Sequence, residues 1–139
     1  MKAISVRQPW ASLISEGAKT VEVRSWKTNY RGPLLICSSA RQDDSFEKFD
    51  EVTCPLGVAL CVVELEEIVQ MTRDHAMSAY PLENMQQERE DVPDGQYAWI
   101  LKTPLMLEAP FPVKGKLNLF EVELPPEIKL VPAEEYFIQ

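Results

Sequence analysis

Lys19, Glu22, Arg24 and Trp26 fall within the stretch KTVEVRSW, where charged and aromatic groups alternate with valines. In an extended strand this alternation sends Thr20, Glu22, Arg24 and Trp26 to one face and Val21 and Val23 to the other, with same-face neighbours about 7 Å apart. A guanidinium offers a planar fork of donors and stacks on rings, and an indole offers a stacking face worth about 1–3 kcal/mol per base. Gln8 and Trp10 stand just upstream and Arg31 just downstream. Gln8, Trp10, Lys19, Glu22, Arg24, Trp26 and Arg31 together suit a nucleobase carrying a phosphate. A plainer reading fits the same residues. Glu22 and Arg24 then form an exposed ion pair worth under about 1 kcal/mol, and the tryptophans only pack a core or a sheet edge.

The elements that must position these groups are legible around them. KAISV reads as a first strand. In RQPWASLISEG, Pro9 suits a first helical turn and Gly17 a left-handed stop, while Trp10, Leu13 and Ile14 share one face of a short helix. Arg31-Gly32-Pro33 marks a turn into the buried strand LLICSSA, and Phe46 and Phe49 in DDSFEKFDEV have helical spacing. LGVALCVVELEEIV is a long strand. Thr72 and Asp74 open a helix that Pro81 ends, and LENMQQEREDVPDG reads as a polar loop or lid. QYAWILKTPLML and GKLNLFEVELP are further strands, with Phe120, Val122 and Leu124 inward. Five or six strands with inserted helices predict an α+β fold, a small mixed barrel or curled sheet with helices outside, in one domain over residues 1–139.

Charge is unevenly spread. Residues 1–42 hold seven Lys/Arg against two acids, whereas the whole chain has net charge −8. An acidic body repels long polyanions, which argues against extended duplex DNA and for a local basic pocket. No apolar run is long enough to span a membrane and no secretory leader is evident, so a cytoplasmic protein away from membranes is expected. Three cysteines and a lone His75 lack metal-site spacing, so free thiols and neither metal nor cofactor are expected. Cys37-Ser38-Ser39 and His75 read as structural, His75 as a helix cap. Lys114-Gly115-Lys116 is either a plain turn or a closure of the cleft over a phosphate.

The segment SVRQPWASLISEGAKTVEVRSWKTNYRGPLLICSS resembles the signature of the ASCH domain, a family named for homology to an activating-signal cointegrator. The matches are Gln8, Pro9, Trp10, Gly17, Lys19, Glu22, Arg24, Trp26, Arg31 and Gly32, and GVALCVVELEEI, YAWIL and PVKGKLNLFEV resemble later family segments. The resemblance implies a PUA-like mixed β-barrel with a cleft between the first helix and the barrel, lined by the Lys/Glu/Arg motif. It also implies binding of RNA or of a nucleotide or nucleoside. Ribonuclease activity is known among family members.

Some small members remove the acyl group from N4-acetylcytidine, using a Lys, a Thr two residues before the motif Arg, and a distant Glu. Lys19 and Arg24 match that set, but Glu22 occupies the Thr position. A carboxylate there would act as general base on water while Lys19 steadied the oxyanion. Glu64, Glu66 and the acids of residues 83–90 are candidates for the distant Glu. Three functions therefore fit the sequence: a reader of RNA or nucleotides, an amidohydrolase acting through Lys19 and Glu22, and a protein-interaction module using its acidic face or an apolar patch near the tail EEYFIQ.

Overall fold

A computed structural model describes residues 1–136. Its elements in chain order are β1 (Lys2–Val6), α1 (Trp10–Ser15), β2 (Val21–Arg24), β3 (Gly32–Ser38), β4 (Val58–Gln70), α2 (Ala76–Ala79), α3 (Gln86–Glu90), β5 (Tyr97–Pro112), β6 (Phe120–Glu121), β7 (Leu130–Pro132) and α4 (Ala133–Tyr136). The strands form one seven-stranded sheet in the order β2-β5-β4-β3-β1-β6, with β7 also paired to β5. β1 and β3 run parallel, and the other described pairs are antiparallel.

The α+β expectation holds, with seven strands rather than five or six. Closure is the correction. β2 and β6 end opposite edges of the strand order, so the sheet curls without becoming a barrel. The curl comes from β4 and β5, whose register shifts at three points between Ala59 and Glu67. Each shift bends the ribbon and raises its twist.

The inner strands are buried on both faces, which explains their continuous apolar runs. Leu34 and Ile36 join Ile4, Val6, Ile14 and Trp99 in the core beneath α1, while Leu35 and Cys37 join Ala3 and Phe120 on the opposite face. β2 keeps the expected alternation at its start, where Val21 packs with Met71, Ala79 and Ala98 beneath α2. Gly17 stops α1 at φ +83, and Thr72 caps the 3-10 turn Arg73–His75 that leads into α2. His75 completes that cap by accepting the Thr72 amide at Nδ1 (3.0 Å).

Three local expectations fail. GKLNLFEVELP, read as a strand, is one only at Phe120–Glu121 and is otherwise irregular. The Phe46/Phe49 segment is irregular because side chains capture its backbone. Gln42 Nε2 donates to the carbonyls of Phe46 and Glu47, Gln42 Oε1 accepts from the Phe49 amide, and Asp43 Oδ1 accepts from the Ser45 amide. These bonds compete directly with helical ones. The polar stretch after Pro81, read as a loop, contains α3. It is anchored by fully buried Met85 and by Arg89, which donates to the carbonyls of Tyr80 and Leu82.

Candidate ligand-binding cleft

Lys19 follows the glycine stop of α1, and its amide donates to the Leu13 carbonyl (3.0 Å). The turn points its side chain inward, where only 2% of the residue is exposed. Nζ donates to the carbonyls of Val21 and Ala79 (2.7 Å each) and stands 3.5 Å from Glu22 Oε1. Trp10 and Tyr80 flank the ammonium, with ring centroids 5.0 and 5.6 Å away. Burial lowers the Lys19 pKa, with Glu22 opposing the shift and Arg24 adding to it.

Glu22 is equally committed. Arg24 reaches Oε2 through both Nε (3.1 Å) and Nη2 (2.8 Å), and the Val23 amide donates to Oε1 (3.2 Å). Burial pushes the carboxyl up. The charges of Arg24 and Lys19, with hydrogen bonds from Arg24 and Val23, outweigh it and hold the pKa below the usual carboxylate range. Arg24 Nη2 also donates to the Ser5 carbonyl (2.8 Å), which ties β2 to β1 across the cleft floor.

The cleft above this triad has a volume of about 1050 Å³. Lys19, Glu22, Arg24, Trp10 and Trp26 all line it. Trp10 is held by a bond from its Nε1 to Asp43 Oδ2 (2.9 Å) and by edge-on contacts with Phe46 and Tyr80. Trp26 packs edge-on against buried Trp99, whose Nε1 donates to the Trp26 carbonyl (3.3 Å).

Two of the anticipated residues are not brought to the cleft. Gln8 is fully buried, with its amide used by Ser12 and the Pro55 carbonyl. It pins α1 to the segment after β3. Arg31 is exposed and donates to the carbonyls of Thr28 and Tyr30, which fixes the turn before β3. Of the acids considered for a distant role, Glu88 lines the cleft, while Glu64 and Glu66 are exposed on β4.

The structure also adds Arg7, Arg41, Asp43, Phe46 and Tyr80, and brings in the loop containing Lys114 and Lys116. The signal for Arg7 and Arg41 was the cationic excess of the first 42 residues. Asp43, Phe46 and Tyr80 come from irregular or distant segments and carried no local signal. Among the described residues no group of three His, Cys, Asp or Glu is placed to hold a metal ion.

The family model described as the ASCH domain matches residues 4–111. The chain belongs to the ASCH domain family. Its curated relatives include Activating signal cointegrator 1 of Homo sapiens, 29% identical over 136 residues, and that of Mus musculus, 27% identical. Each alignment covers 86% of this chain and 22% of the relative, so this ASCH chain spans less than a quarter of their length. The fold is also that of an ASCH protein from Zymomonas mobilis. One solved point variant superposes with a TM-score of 0.57 at 17% identity, covering 99% of this chain and 95% of that one. A second gives 0.55 at the same identity, covering 99% and 93%. The PUA-like α+β architecture implied by the motif is therefore the fold of this ASCH chain. Among the described residues no helix is long and apolar enough to cross a membrane.

Proposed function

We propose that the cleft binds a nucleotide or a short single-stranded segment of RNA. A base rests against Trp10 or Trp26, and cationic groups hold its phosphate and polar edges. One observation carries this reading. In a chain of net charge −8, the cleft is lined by six cations and only three acids, with aromatic rings between them. Lys19 and Arg24 are offset by Glu22, but Arg7, Arg41, Lys114 and Lys116 are exposed and make no ion pair among the described residues. Interleaved cations and stacking rings are the recurring means of holding single-stranded nucleic acid.

The amidohydrolase reading has less support. Lys19 spends its three N–H groups on two carbonyls and Glu22, while Glu22 is held low and paired at both oxygens. A general base needs a free lone pair near neutral pKa, and this pair supplies structure instead. An interaction module has few exposed large apolar residues in its favour among the described residues. The exposed large apolar residues Val52, Met77, Leu117 and Leu130 sit on four separate segments. Phe137, Ile138 and Gln139 of the tail lie outside the described residues.

The test is fluorescence anisotropy of a labelled RNA pentamer, with cytidine 5′-monophosphate as competitor, on wild type and Trp26→Ala. Saturable binding weakened by the substitution supports the reading, and no binding by either ligand overturns it. Incubation with N4-acetylcytidine in parallel separates the alternatives, since release of cytidine would make the chain an amidohydrolase.

A further inference from the structure

The cationic groups of the cleft are not scattered around it. β1 runs on into Arg7 and its parallel neighbour β3 runs on into Ser39 and Arg41, with the Ser39 amide donating to the Val6 carbonyl (2.9 Å). Backbone bonds tie a third segment to the same end. Gly57 donates to the Ser39 carbonyl (3.1 Å), and Val113 donates to the Gly57 carbonyl (2.9 Å). This chain of bonds starts the loop of Lys114, Gly115 and Lys116 beside the carboxyl ends of β1 and β3.

The loop is then pressed onto the cleft floor. A Cβ on Gly115 would stand 2.6 Å from Ser5 Oγ and 3.2 Å from Ser5 Cβ, so only glycine lets the backbone come this close. Ser5 is itself fixed on two sides. Its hydroxyl shares a hydrogen bond with that of Ser39 (3.1 Å), and its carbonyl accepts Arg24 Nη2 (2.8 Å). Lys114 and Lys116 therefore flank a seated glycine, at the end of the cleft that Arg7 and Arg41 border.

Gathering four exposed cations that lack ion pairs costs electrostatic free energy unless an anion joins them. The acids of the cleft do little to supply it. The Asp43 carboxylate accepts from Trp10 and Ser45 and meets Arg7 only through the field, and Glu88 is carried on α3 and makes no ion pair with any of the four among the described residues. The segments that carry Arg7, Arg41, Lys114 and Lys116 thus meet at one end of the cleft, together with the Ser5 and Ser39 hydroxyls.

We propose that Arg7, Arg41, Lys114 and Lys116 form a phosphate subsite, with Gly115 seated on Ser5 as the residue that positions the two lysines. The proposal rests on the reading of the cleft as a nucleotide or RNA site and specifies where the phosphoryl group is held. The chemistry is that of a phosphate oxygen on multiple charge-assisted donors, which a free nucleotide and an RNA strand share.

The test is calorimetric titration of the full chain with cytidine, cytidine 5′-monophosphate and an unphosphorylated RNA pentamer. Wild type should bind the monophosphate about tenfold or more tighter than cytidine, the effect of charge-assisted bonds to a phosphoryl group. Lys114→Gln with Lys116→Gln should bring that ratio close to one. Gly115→Ala keeps every charge but displaces the loop, so it should lower the ratio too, and adding Ser5→Ala to it should restore part of the loss. Thermal unfolding of each variant identifies any that fail to fold, and those are replaced by Lys114→Gln alone. A pentamer that binds tightly and loses affinity in the lysine variant assigns the subsite to an internal phosphodiester, and a weak pentamer assigns it to a terminal monoester. Equal wild-type binding of cytidine and its monophosphate, or a ratio unchanged in the lysine variant, would overturn the subsite while leaving the base-binding reading intact. Absence of binding by all three ligands would overturn both.

Discussion

Arg24 gives its guanidinium to one oxygen of Glu22. Nε and Nη2 stand 3.1 and 2.8 Å from Oε2, which leaves Oε1 to face Lys19 Nζ at 3.5 Å. One carboxylate therefore offsets two cations on the floor of the cleft. Breaking a buried pair by removing one partner leaves an uncompensated charge, which is costlier than the pair itself is stabilising.

Lys19→Ala should destabilise the fold by about 1–3 kcal/mol, measured by urea denaturation, because it removes the donor from the buried Val21 and Ala79 carbonyls while Glu22 keeps Arg24. The double variant Lys19→Ala, Glu22→Ala should cost less than the sum of the two single losses, since the groups share one network. A loss under about 1 kcal/mol for Lys19→Ala would place this pair with ordinary surface ion pairs.

Acid should act on the same site. The folded pKa of Glu22 is depressed, so the unfolded chain takes up the proton first as pH falls below about 4.3. The stability that Glu22 contributes is complete above that point and is lost as pH falls further, through the native value. Unfolding free energies measured from pH 6 down to pH 2 should show a shallower acid limb for Glu22→Gln than for wild type. Parallel limbs would mean that Glu22 has the same pKa folded and unfolded.

Gln8→Ala should cost stability without altering affinity per folded molecule. Its amide satisfies Ser12 and the Pro55 carbonyl in full burial, and removing it leaves polar groups unpaired at about 1–3 kcal/mol. Denaturation and RNA anisotropy on the same sample separate the two effects. A fold of wild-type stability with weakened binding would return Gln8 to the ligand.

The thiols should react in an order set by burial. Cys37 and Cys61 are fully buried, and burial raises both, Cys37 to about 12. Cys54 is also raised by burial but is partly exposed. Thiolate fraction and access together govern alkylation, so mass spectrometry during iodoacetamide treatment at pH 8 should find Cys54 modified first. Modification of Cys37 or Cys61 before unfolding would contradict the packing of β3 on β4.

The sequence was most informative where chemistry follows strand alternation or a glycine stop. Glu22 and Arg24 were placed on one face by period two alone, and Gly17 by its position after an apolar face. Other features depend on partners far along the chain. Lys19 is buried because Ala79, sixty residues on, offers a carbonyl. Gln8 is withdrawn from the cleft because Pro55 offers another. The helix expected at Phe46 and Phe49 is overridden by Gln42, whose side chain mimics the missing backbone partners. Open-sheet topology was equally hidden, because whether the edge strands β2 and β6 meet is a property of the curl and not of either strand's residues.

The central claim, that this cleft holds a base-bearing phosphate, is tested most directly by nuclear magnetic resonance on isotope-labelled protein during titration with cytidine 5′-monophosphate and the RNA pentamer. The indole N–H signals of Trp10 and Trp26 report the aromatic side, and the amides of Arg7, Ser39, Arg41 and Gly115 report the cationic side. The account predicts that these signals move together and saturably, while those of Leu130 and Val131 on β7 stay in place. Shifts confined to another face, or none at ligand excess, would contradict it.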